Sequence, residues 1–129
     1  TPLYSSAASD VYKRQEDALF GEEAIRCFAG DLLRKGVSVL ELTFTFPISN
    51  QRCYDSATFL AQEQFTNNML KKAAKTRMKQ ARLFGKCRLL ATKQDMQGLS
   101  QTLNQIADLD DLYTKELTKG VKEFRKTRQ

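Results

Sequence analysis

The apolar and polar positions of this chain follow a helical period over most of its length. From Glu16 to Lys35, Ala18, Leu19, Ala24, Ile25, Phe28, Ala29, Leu32 and Leu33 recur in adjacent pairs, mostly three to four residues apart. That spacing puts them along one side of a helix, with acids early and Arg34 and Lys35 late to complement its dipole, and Gly36 as the stop. The next segment, GVSVLELTFTFPIS, changes period. Leu40, Leu42, Phe44 and Phe46 alternate with Val37, Val39, Glu41, Thr43 and Thr45 up to Pro47. Such alternation predicts a short, half-buried strand near 37–46. It is isolated, because no other stretch offers a partner and a lone strand leaves its ladder groups unpaired.

From about Asp55 to Thr92, the residues Phe59, Leu60, Met69, Leu70, Ala73, Ala74, Met78, Ala81, Phe84, Cys87 and Leu90 return to helical spacing, with only Gly85 as an interruption. One long basic helix is expected there. Beyond it, positions 96, 99, 103, 106, 110, 113, 117, 120 and 124 step by threes and fours and carry Met, Leu, Leu, Ile, Asp, Tyr, Leu, Gly and Phe. This is a heptad seam broken at Asp110 and Gly120, and it must pack on a partner helix within the chain or between chains. The expected fold class is mainly α, with long helices forming a helical hairpin or an extended arm.

Composition narrows the chemistry. The 129 residues are 41% hydrophobic and 28% charged, which suits one ordinary domain. Histidine is absent, so histidine-based catalysis is excluded. No serine or threonine has a motif-defined activating base, and the six glycines form neither a dinucleotide-binding fingerprint nor a phosphate-cradling loop. Asp108, Asp110 and Asp111 lack the loop glycine and bidentate glutamate of a calcium loop. Cys27, Cys53 and Cys87 are too scattered for a zinc site or a disulfide framework, and they favour a reducing, cytoplasmic setting. The expectation is a protein that is not an enzyme, with no metal and no cofactor. No run approaches the ~20 apolar residues of a membrane span.

Charge is distributed unevenly. The formal net charge is +6, yet Lys71, Lys72, Lys75, Arg77, Lys79, Arg82, Lys86, Arg88 and Lys93 follow one another with no acid between Glu63 and Asp95. Clustered cations on a helix suit phosphates or an anionic bilayer, the plainer alternative being a solvated face. The interleaved apolar residues favour a membrane or protein surface, and only Phe84 could stack on a base.

Two resemblances refine these expectations. Residues 1–15, TPLYSSAASDVYKRQ, resemble the in-frame translation of a sequencing-library adapter, which implies a reading frame that begins inside a longer gene and a disordered tail to be set aside. The remaining residues, 16–129, then form a single helical region, itself a fragment. Within it, GEEAIRCFAGDLLRK (21–35), ARLFGKCRLLATKQDMQGLSQTLNQI (81–106) and KGVKEF (119–124) resemble the ESCRT-III family of charged multivesicular body proteins, best matched in its Vps-two, Vps-twenty-four and Did-two-like branch. In that family the segments run on as one helix, so residues 36 to about 80 read as an insert, either translated non-coding sequence or a lineage-specific insertion.

The resemblance implies a cytosolic membrane-remodelling subunit, peripheral on endosomal membrane and acting in sorting or scission. Its partners would be copies or relatives of itself, an anionic bilayer, and a separate ATPase recruited through a region with no counterpart in this chain. It assigns membrane binding to Arg26, Arg34, Lys35, Arg82, Lys86 and Arg88, and helix assembly to Met96, Leu99, Leu103, Ile106, Leu117 and Val121. Competing readings are a basic helical nucleic-acid-binding protein, carried by the cationic block, and a coiled-coil adaptor.

Overall fold

The computed structural model describes residues 35–127 together with Ala29 and Leu32. Four helices are assigned in this stretch: α1 Val39–Leu42, α2 Phe46–Leu60, α3 Asn68–Thr92 and α4 Met96–Thr127. The mainly α class is as expected, and no strand occurs among the described residues.

The strand expected near 37–46 is replaced by α1, a turn at 43–45 and the first residue of α2. Two local bonds explain the change. Ser38 Oγ accepts from the Glu41 amide while the Glu41 carboxylate accepts from the Ser38 amide, a reciprocal capping box that starts α1. Pro47, read as a strand terminator, sits in the first turn of α2, where its missing N–H costs nothing. Leu42 at the end of α1 and Phe46 at the start of α2 are both buried in one apolar cluster, whereas Phe44 in the turn between them is 81% exposed.

The single basic helix expected from about Asp55 to Thr92 is also divided. Residues 61–67 form the connection between α2 and α3. The decisive residue is Asn67, whose side-chain oxygen accepts from the Met69 amide at 2.7 Å and the Leu70 amide at 3.3 Å. It satisfies donors that the first helical turn leaves open. Gly85, by contrast, does not interrupt α3. The turn between α3 and α4 places Gln94 at φ 58°, and the Asp95 carboxylate then accepts from the Gly98 amide at 2.9 Å to start α4.

α2 and α4 both run antiparallel to α3. Asn50 donates to the Ala81 carbonyl and Phe46 lies beside Phe84, while Leu60 and Leu70 share a cluster at the opposite end of α2. On the other side Asn67 bonds Glu123 and Arg77 bonds Asp110. The resulting core has two apolar parts. One joins Phe46, Cys53, Ala81, Phe84, Cys87, Leu99, Leu103 and Ile106, and also takes in Ala29 and Leu42. The other joins Phe59, Leu60, Phe65, Leu70, Ala73, Tyr113, Leu117, Val121 and Phe124. A polar layer lies between them along α3 and α4, built from Thr76, Arg77, Gln80 and Asp110, and Glu116 joins it through its bond to Thr76.

Candidate functional site

α3 is the central element, and its two sides differ in chemistry. At 100° per residue, Lys71, Lys75, Lys79, Arg82, Lys86 and Lys93 fall within an arc of about 80°. All six are exposed, and no described acid forms an ion pair with any of them. α3 contains no Asp or Glu, so its own surface offers no counter-charge at the usual i,i+4 spacing. From Lys71 to Lys93 the row is about 33 Å long. Lys72 borders it, and the exposed Leu89 lies within it near the end of the helix.

The inner side carries one cation of the block, Arg77. Ala73, Ala74, Arg77, Gln80, Ala81 and Phe84 keep one helical phase and all are buried. Arg77 is 2% exposed, and its Nη1 donates to Asp110 Oδ1 at 2.9 Å and to Gln80 Oε1 at 2.7 Å. Gln80 Nε2 donates in turn to the same Asp110 oxygen at 2.8 Å and to the Ile106 carbonyl at 2.9 Å. The Arg77 guanidinium lies 3.7 Å from the centre of the Tyr113 ring, a cation–π contact strengthened by exclusion of water. At the preceding residue, the Thr76 hydroxyl donates to the Glu116 carboxylate. Charge taken out of water has to be matched in this way, because an unmatched buried ion costs several kcal/mol.

The acids of α4 are therefore sorted by position. Asp110, Glu116 and Glu123 are held by Arg77, Thr76 and Asn67 respectively. Lys115, Lys119, Lys122 and Lys126 of the same helix are exposed. Asp95, Asp108 and Asp111, in its first half and the preceding turn, are exposed as well.

Of the residues that the resemblance assigned to membrane binding, Arg82 and Lys86 lie in the row. Arg88 is exposed but stands away from it, and Lys35 is exposed in the turn before α1. Arg26 and Arg34 lie outside the described residues. Of the seam residues assigned to assembly, Leu99, Leu103, Ile106, Leu117 and Val121 are in the chain's own core, packed against α2 and α3. Met96 is 53% exposed. The two seam breaks have uses: Asp110 receives Arg77, and Gly120 lies where an added Cβ would come within 2.7 Å of the Leu70 side chain and 3.0 Å of its backbone nitrogen.

Arg77, Gln80 and Tyr113 were not singled out by sequence reasoning as members of one site. A signal existed. Arg77 and Gln80 share the phase of Ala73, Ala81 and Phe84, and an acid at a heptad seam position calls for a buried cation opposite. Cys87 is also on the inner side, where burial pushes its thiol up to about 12, against a smaller opposing effect of Lys86. It is held as the neutral, weakly reactive thiol.

The YobF C-terminal domain model matches residues 14–118, and the chain belongs to that family. The matched span includes residues 36–80. The chain is also 29% identical over 112 residues to uncharacterized protein YobF of Bacillus subtilis (strain 168), an alignment covering 84% of this chain and 34% of that protein. The chain thus spans about a third of the length of the curated relative it matches. No solved structure matches.

These findings overturn the resemblance to ESCRT-III and, with it, the multivesicular-body and endosomal role and the membrane-remodelling function drawn from it. The segments behind that resemblance carry an amphipathic spacing and a heptad spacing of apolar residues. Both patterns arise wherever helices pack side by side, so they identify packing rather than ancestry.

Proposed function

We propose, from a chain of the YobF C-terminal domain family with this geometry, a non-enzymatic helical binding module whose outer α3 face docks onto a polyanionic partner. The observation that carries this reading is the row Lys71, Lys75, Lys79, Arg82, Lys86 and Lys93, exposed together and in no ion pair with any described acid. Surfaces that serve solubility intersperse both signs. Like charges at i,i+4 on a helix destabilise each other by about 0.2–0.5 kcal/mol per pair, and the repulsion repeats along the helix. A partner carrying a series of negative charges relieves all of these terms at once and releases its own counterions.

Rigidity favours the same reading. The row stands on a helix anchored on its inner side by two apolar clusters and a polar layer, so its spacing is set before a partner arrives. Preorganised charges lose less entropy on binding than charges on a disordered tail. The test is retention on immobilised heparin, a generic polyanion, at about 50 mM salt. The chain is expected to be retained and to elute as salt rises, while the variant Lys75→Glu, Lys79→Glu, Arg82→Glu elutes early with unchanged circular dichroism. Equal retention of the two proteins, or passage of the unaltered chain at low salt, contradicts the proposal.

A further inference from the structure

We infer that the polyanion is a nucleic acid held by its phosphate backbone, and that two helices hold it: Lys71, Lys72 and Lys75 of α3 together with Lys119, Lys122 and Lys126 of α4. The inference rests on the polyanion reading above and adds both the partner's class and the second helix.

The register brings the two sets together. Asn67 bonds Glu123, Leu70 lies against Gly120, and Thr76 bonds Glu116, so the first turns of α3 run beside the last turns of α4. All six lysines are exposed. The acids of that stretch of α4, Glu116 and Glu123, accept hydrogen bonds from Thr76 and Asn67 on the α3 side and form no ion pair with these lysines. Between Gln94 and Thr114, α4 and the turn before it carry no Lys or Arg, and Asp95, Asp108 and Asp111 are exposed. Charge is therefore sorted along α4, with cations gathered only at the end that borders the start of α3. Such a gradient orients a polyanion toward one end of the molecule.

The surroundings favour phosphates over a bilayer. A helix that lies in a membrane interface buries apolar side chains about 5–10 Å deep. At this end Phe65, Leu70, Leu117, Val121 and Phe124 are all buried in the core. Among the described residues the exposed large apolar side chains are Phe44, Ile48, Tyr54, Leu89, Met96 and Leu112, none of which is in the first two turns of α3 or the last three turns of α4. Lysine presents a mobile point charge suited to phosphate oxygens. With no exposed aromatic residue in the platform to stack on a base, the contact is with the backbone and independent of base sequence.

The experiment is a titration of the whole chain against a labelled duplex DNA of arbitrary sequence and against phosphatidylserine vesicles, from about 50 mM to about 200 mM salt. Six phosphate contacts give a slope of log affinity on log salt of about −5. Lys119→Glu with Lys122→Glu is expected to lower duplex affinity at least tenfold at the lower salt, by about 1.4 kcal/mol or more, and to reduce the slope by about 2, with an unchanged thermal midpoint. Duplex binding that ignores this pair of substitutions overturns the two-helix platform. Binding to vesicles but not to duplex overturns the nucleic-acid assignment and leaves the polyanion reading standing. Failure to bind duplex, vesicles and heparin alike removes that reading as well.

Discussion

Arg77 and Lys79 stand two positions apart on α3 and live under opposite physical regimes. Arg77 points into the core, where its charge is met by Asp110, Gln80 and the face of Tyr113. Lys79 is exposed with its like-charged neighbours and pairs with no described acid. Water screens the outer row well enough for it to exist unpaired, whereas the interior admits a charge only with its partners supplied. The inner arrangement is thus tied to folding, and the outer one is left available for recognition.

That contrast can be broken at several points. The largest effect is expected on the inner side. Arg77→Met strands Asp110 in the core and should cost about 3–5 kcal/mol in urea unfolding, while adding Asp110→Leu should recover most of the loss. If the double variant remains as unstable as the single one, the ion pair is not the reason the layer matters. Next comes space. Gly120→Ala places a methyl group against the Leu70 side chain and backbone and should destabilise by about 1–3 kcal/mol, although alanine is the better helix former.

The outer side should behave in the opposite way. An added Cβ at Gly85, which is exposed, meets only the Asn50 side chain at 3.8 Å, so Gly85→Ala should raise stability by about 0.5–1 kcal/mol. Smallest of all, the triple reversal Lys75→Glu, Lys79→Glu, Arg82→Glu should move stability by no more than about 0.5 kcal/mol per site. A large loss of thermal midpoint in that variant would show that the outer cations also support the fold.

Much of this was legible in residue order, and the failures have identifiable causes. The α4 seam was readable because a sustained step of three and four over 29 positions has no strand counterpart. The residues 37–46 were misread because Leu40, Leu42, Phe44 and Phe46 satisfy period two, while the capping box of Ser38 and Glu41 and the helix-opening use of Pro47 act locally against it. The break at 61–67 was missed because Gln62, Glu63 and Gln64 have good helix propensity and the cap that starts α3 is a single residue, Asn67.

The candidate site was half visible. The density of cations could be counted, and their placement on one face could have been drawn from the helical period. What residue order did not supply was the register between α3 and α4. That register turns Asp110 from an apparent flaw in the seam into the partner of Arg77, and sets Lys119 and Lys122 beside the start of α3. Ancestry was misread for a related reason, since packing patterns recur across unrelated helical families.

The central claim is that the two sides of α3 do separate work, and heparin affinity measured on both sides' variants tests it most directly. The double variant Arg77→Met, Asp110→Leu removes the buried pair without touching the outer row, and its affinity is expected to stay within about twofold of the unaltered chain, whereas the triple reversal on the outer side loses at least about tenfold. Equal losses in the two variants, both still folded by circular dichroism, would contradict the account.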